Sequence, residues 1–240
     1  MNEPGHPTPS ILQYTTMTDS VVTQLKAWIR DGELRPGERL QILPLADRLG
    51  TSAMPVREGL RRLEAAGLVV RKAHQTVVVA QLSYREVRDL YDIRLLLEPA
   101  AAFHGATRVS ESANAKMHGL VEMMAAAVRS HDTLAVLELD EQFLATLYRS
   151  SGNIPLFEMI RNIWERVTPY KRIYATSEES QWGETFWRDD MALLEACEKG
   201  NGPTARKIIT RSLEDAQSGL VDFLSQQQES LAGESMPVAG

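Results

Sequence analysis

The sequence contains a single cysteine, Cys197, and that scarcity removes two devices at once. No internal disulfide can form, and no CxxC-type zinc site exists. A lone cysteine is expected as a small core side chain. Long apolar runs are also missing, and nothing approaches the roughly 18 residues that a membrane span needs. The first ten residues are polar and hold proline and glycine. They lack the basic start and apolar centre of a secretory signal, so the expected compartment is the cytoplasm. There is no internal repeat, nucleophile motif or glycine-rich phosphate loop. Asp140, Asp190 and Glu98 can be posed as acid–base carboxylates, but without such motifs an enzyme is the weaker reading.

What is present is an uneven charge. The net charge is −6, yet Thr18 to Gln81 holds 10 Lys and Arg against 7 Asp and Glu. A basic front and an acidic back suggest that phosphate contacts are placed at the front. The polar stretch 1–17 reads as a disordered arm and 226–240 as a flexible tail. Residues 18–81 and 82–225 read as two domains.

The first domain begins with a helix. Val21, Val22, Leu25, Trp28 and Ile29 make one apolar stripe, and Asp31-Gly32 ends it. Pro36-Gly37 is a turn. A short helix with Leu45, Ala46 and Leu49 inward stops at Gly50. Thr51-Ser52 can cap a third helix, where Val56, Leu60 and Leu63 face inward and Pro55 is tolerated in the first turn. Leu68-Val69-Val70 and Thr76 to Val79 then read as two strands around a polar turn. Three helices and a β-hairpin in this order describe a winged helix-turn-helix.

From Ser83 onward the pattern is helical throughout. Ser83 to Glu86 is a capping box opening a long helix that Pro99 should kink. Further stripes predict an antiparallel bundle of six or seven helices, so the fold class is mainly α.

In a helix-turn-helix the second helix of the motif enters the major groove of double-stranded DNA. The candidate contacts are Arg48, Ser52, Ala53, Met54, Arg57, Arg61, Lys72 and His74. Arg57 is the best placed for guanine, because its fork matches two acceptors on one base. Arg61 and Arg62 suit phosphates, and Lys72 and His74 sit at the hairpin tip. The alternative is that these arginines are only a solvated helix face.

The wording of this segment goes further than its spacing. Asp31-Gly-Glu-Leu-Arg-Pro-Gly-Glu-Arg-Leu40, Leu45-Ala46, Leu49-Gly50, Pro55-Val-Arg-Glu58 and Leu63-Glu64 to Gly67-Leu-Val69 closely resemble the GntR superfamily of bacterial regulators. Three positions depart from the family pattern. Ala53 stands where Arg is usual, Thr76 where the wing tip has Gly, and Gly59 where Ala is frequent. The second domain resembles the FCD type of effector domain of the FadR-like branch. It does so through Arg94-x3-Glu98, Asp140 with Phe143, Ser151-Gly152-Asn153 with Leu156, and Leu193-Leu-Glu-Ala196.

This bundle also has polar residues where its period predicts core: Arg94, Asp140, Asp190 and Ser212. Buried ionised groups must be paired or must meet a ligand. Both readings stand here, an internal pair such as Arg94 with Asp140 or a polar ligand cavity. Many relatives of the resembled domain hold a divalent metal through one Asp and three His. The matching positions are Asp140, Leu144, Asp190 and Ser212, and none of the last three is His. Two carboxylates and a hydroxyl are a poor zinc or nickel site, so no metal or cofactor is expected. The resemblance implies a homodimer on a two-fold operator. It also implies a small organic-acid effector held by Arg94, Glu98, Asp140, Leu144, Asp190 and Ser212. The competing expectation is a constitutive DNA-binding regulator whose second domain only dimerises.

Overall fold

A computed structural model describes residues 16–73, 76–177 and 182–234. The arm expected over 1–17 lies outside these residues, apart from Thr16 and Met17, which start a helix. The first helix, α1 (Met17–Arg30), is opened by a capping box between Thr16 and Asp19. The Thr16 side-chain and backbone bonds hold the Asp19 carboxyl down at about 2. The stripe Val21, Leu25, Trp28 and Ile29 is buried. A short strand, β1 (Arg39–Leu40), precedes α2 (Ile42–Leu49) and α3 (Ala53–Ala65). Gly50 ends α2 in the left-handed region (φ 62°), which fixes the turn of the helix-turn-helix. The wing is β2 (Val69–Arg71) and β3 (Val77–Val79).

The sheet is antiparallel with order β1-β3-β2, so it has three strands and not the two that the sequence suggests. Leu40 pairs with Val77 and Val69 with Val79. Pro36-Gly37 turns the chain onto β3, where Gly37 N–H donates to the Val79 carbonyl at 3.0 Å. Gly59 lets α3 approach α1 closely, since a Cβ there would lie 2.9 Å from Val21 Cγ1.

Six further helices follow among the described residues: α4 (Tyr84–Ala106), α5 (Glu111–Arg129), α6 (Thr133–Arg149), α7 (Ile154–Ala175), α8 (Trp182–Glu198) and α9 (Gly202–Glu234). The capping box at Ser83 and Glu86 is formed. The α4 helix runs unbroken through Pro99, where one backbone donor is missing. The tail expected from residue 226 is helical through Glu234, because Val221, Phe223 and Leu224 keep α9 anchored in the core just before it. Residues 235–240 lie outside the description. Cys197 is buried, and burial pushes its thiol up to about 12.

Two separate cores result. One spans Val21 to Val79 and the other begins at Leu82. Helix α7 joins them. Lys26 Nζ of α1 reaches Glu165 at 2.7 Å, and Arg172 lies 3.9 Å from Asp31. Tyr170 Oη accepts from the Leu82 N–H at 2.6 Å and donates to the Ala80 carbonyl at 3.3 Å.

Candidate functional site

The exposed face of α3 is built around its N-terminus. Ser52 is the N-cap residue but makes no side-chain cap bond, so its hydroxyl is not committed to the helix. Met54 is 74% exposed, Ala53 is half-buried and Arg57 is exposed. The arginines differ in what they touch. Arg61 is held by Glu58 at 2.8 Å, and Arg62 is held by Asp19 at 2.7 Å. Arg48 is bonded to Glu33 and stacks over the Trp28 ring at 3.7 Å. Arg57 has no hydrogen bond or ion pair among the described residues. It therefore presents a free fork one turn into the helix. Lys72 is exposed on the wing, where its N–H bonds the Thr76 carbonyl. His74 lies outside the described residues.

The second candidate is inside the bundle. Arg94, Glu98, Asp140, Leu144 and Ser212 line one cavity, together with Tyr91, Lys171 and Phe186. Its volume is about 20 Å³, room for about one water molecule. Asp190, on α8, is 2% exposed and is not on the cavity wall. It is close enough to Asp140 for the two charges to act on one another.

The pairings differ from those the sequence suggested. Arg94 pairs with Glu98 and not with Asp140. Its Nε donates to Glu98 Oε1 at 2.6 Å. Glu98 is fully buried and also accepts from Tyr148 Oη at 3.0 Å and Trp164 Nε1 at 2.8 Å. Burial would depress the Arg94 guanidinium, but the Glu98 charge holds it above its usual value. Asp140 instead faces Lys171 Nζ at 3.8 Å. Burial raises Asp140 to about 6, against the pull of Lys171 and Arg94. Burial, reinforced by the charges of Asp140 and Asp189, pushes Asp190 well above the carboxylate range. Asp190 Oδ2 and Tyr91 Oη are buried without a hydrogen-bond partner among the described residues.

Lys171 is a candidate site residue that the sequence reading missed. Its side chain is 13% exposed, and it separates the cavity from an open cleft of about 260 Å³ between α6 and α7. The signal was available, since Lys171 follows Trp164 and Val167 at i+7 and i+4 on a buried stripe. A transition metal does not fit this set. Leu144 is apolar, and Lys171 already supplies positive charge to Asp140. No group of three His, Cys, Asp or Glu suited to a metal exists among the described residues.

A winged helix-turn-helix joined, among the described residues, to a six-helix bundle with a buried polar cavity is the architecture of a DNA-binding transcriptional regulator. The chain belongs to the gntR family of bacterial regulatory proteins. Residues 17–79 match that family and residues 89–215 match the FCD domain. It is 28% identical over 158 residues to the HTH-type transcriptional regulator McbR of Escherichia coli, covering 66% of this chain and 72% of McbR. It is 26% identical over 205 residues to the HTH-type regulator YdhC of Bacillus subtilis, covering 85% and 87%. A probable D-xylose utilization operon repressor of Paenarthrobacter nicotinovorans is 28% identical over 145 residues, covering 60% and 64%. The solved structure of McbR superposes with a TM-score of 0.77 at 25% identity, covering 89% of this chain and 99% of that one. Among the described residues no helix is long and apolar enough to cross a membrane.

Proposed function

We propose that this regulator is a homodimeric repressor of a two-fold operator, released by a small carboxylate ligand, and that it works without a transition metal. The free Arg57 fork on α3 reads a base, while Ser52, Arg61 and Lys72 hold backbone. The exposed Ile93 and Leu96 (77% exposed), three residues apart on α4, offer an apolar face for a second copy. The named repressor among the relatives supports the sign of control.

The observation that carries the sensing half is Lys171. It is a cation with a 13% exposed side chain and no hydrogen bond among the described residues, lining both the cavity and the α6–α7 cleft. A carboxylate entering the cleft meets it first. Arg94 lies behind it, positioned by Glu98 and with no hydrogen bond to its Nη1. Residue 172 is next along α7 and touches the winged domain. A ligand that moves Lys171 therefore biases the seat of the DNA-binding domain. Coupling of this kind is typically about 1–3 kcal/mol, or about 5- to 150-fold in affinity.

The test is operator affinity by fluorescence anisotropy, using an operator selected from random duplex DNA, with and without a broad panel of small carboxylates. At least one is expected to weaken binding fivefold or more. Unchanged affinity across the panel favours a constitutive regulator whose bundle only dimerises. That second reading rests on the small volume of the cavity, about 20 Å³.

A further inference from the structure

We infer that the ligand, seated mainly in the α6–α7 cleft and reaching the cavity at Lys171, is a small α-amino acid, carrying an ammonium group beside its carboxylate. This deepens the proposed sensing role and rests on it. The charges in the site already balance in pairs, Arg94 with Glu98 and Lys171 with Asp140. A plain carboxylate that takes Lys171 removes the partner of Asp140. Asp140 is then left buried beside Asp190 with only the Arg94 charge, already held by Glu98, to offset it, an unfavourable arrangement. A ligand that brings its own ammonium removes this conflict. Its carboxylate takes Lys171 and the unused Arg94 Nη1, and its ammonium takes Asp140.

The unpartnered atoms point the same way. Tyr91 lines the cavity with its Oη buried and without a hydrogen-bond partner among the described residues, and Asp190 Oδ2, off the cavity wall, is in the same condition. An ammonium has three donors to place. Asp140 and the Tyr91 hydroxyl, which both line the cavity, supply acceptors from two helices. Lys171 Nζ and Asp140 Oδ2 are only 3.8 Å apart. The two charged ends of the ligand must be correspondingly close, as they are on a single carbon. The side chain is left to the α6–α7 cleft, where Leu137, Phe157 and Trp164 form an apolar wall.

The experiment is calorimetry and thermal shift on the full-length protein with three matched series. These are the L-α-amino acids, the same acids lacking the amino group (propionate for alanine), and the same amines lacking the carboxylate (ethylamine for alanine). The expected result is binding by at least one amino acid, with its matched acid and amine at least tenfold weaker. Tyr91→Phe should weaken that amino acid at least tenfold. If the acids bind as well as the amino acids, the inference is overturned while the carboxylate sensor stands. If the amines bind as well, the carboxylate half falls and the proposed sensing role falls with it. If no member of any series binds, both are overturned. The wild-type series decides the matter even where Tyr91→Phe fails to fold, which circular dichroism reports.

Discussion

Lys171 and Arg172 are consecutive residues of α7 that serve different domains. Lys171 faces Asp140 inside the bundle at 3.8 Å, while Arg172 bonds Glu138 at 2.9 Å and lies 3.9 Å from Asp31 at the end of α1. The two side chains are about equally exposed, at 13% and 16%, so their partners set them apart. The expected outcome of Arg172→Ala is a protein that still binds its operator and its ligand but couples them less. The ratio of operator affinities with and without ligand should fall at least threefold, measured by anisotropy. An unchanged ratio would place the coupling elsewhere on α7, for example at Lys26 and Glu165.

The arginines of α3 should separate in the same assay. Arg57 is unpaired, whereas Arg61 is already held by Glu58. Arg57→Ala is expected to weaken operator binding roughly 10- to 100-fold and to relax specificity at one base, as loss of a bidentate contact does. Arg61→Ala should act evenly across sequences and reduce the salt slope by about one. Equal losses from the two variants, with equal salt slopes, would refute the assignment of Arg57 as the base reader.

The parts of this architecture that depend on local period were legible in the sequence. The stripe of α1, the Gly50 turn and the Ser83 capping box are all short-range signals. The strand β1 was not, because its two residues gain meaning only by pairing with β3, nearly 40 residues later. Arg94, Asp140, Asp190 and Ser212 stood out as polar residues on apolar stripes. Their partners did not follow from the stripes. Tyr148 and Trp164 reach Glu98 from two other helices, and period says nothing of which helices adjoin. Lys171 lies on the stripe of Trp164 and Val167, but that stripe does not tell that Asp140 of α6 faces it.

Glu98 should be the most sensitive position for folding. It is fully buried and satisfies Arg94, Tyr148 and Trp164 together. Glu98→Ala leaves a buried guanidinium unpaired, and breaking such a pair by removing one partner costs about 3–5 kcal/mol. The paired replacement Arg94→Met with Glu98→Leu should recover most of that loss, because both charges leave together. Urea unfolding of the three proteins measures this. A double variant no more stable than Glu98→Ala would show that the network matters through packing and not through its charge.

The buried carboxylates give the stability a distinct pH dependence. Asp140 is raised from 3.8 to about 6, first by burial, with the charges of Glu141 and Glu98 adding and those of Lys171 and Arg94 opposing. The folded state therefore holds the Asp140 proton more tightly than the unfolded chain does. Between about pH 4 and pH 6 folding takes up a proton, so this contribution falls as pH rises and is lost above about 6. Its size is at most about 3 kcal/mol at 1.36 kcal/mol per unit. Asp190, which burial and the Asp140 charge also raise, acts in the same direction. Paired carboxylates such as Asp19, lowered to about 2, act in the opposite direction but below this window. Asp140→Asn cannot titrate, so the stability of wild type relative to this variant should fall from pH 4 to pH 6 and then level. Thermal unfolding of both proteins at half-unit steps measures that difference. A flat difference across the window, or one that rises with pH, would mean that Asp140 is ionised throughout and that Lys171 compensates its burial fully.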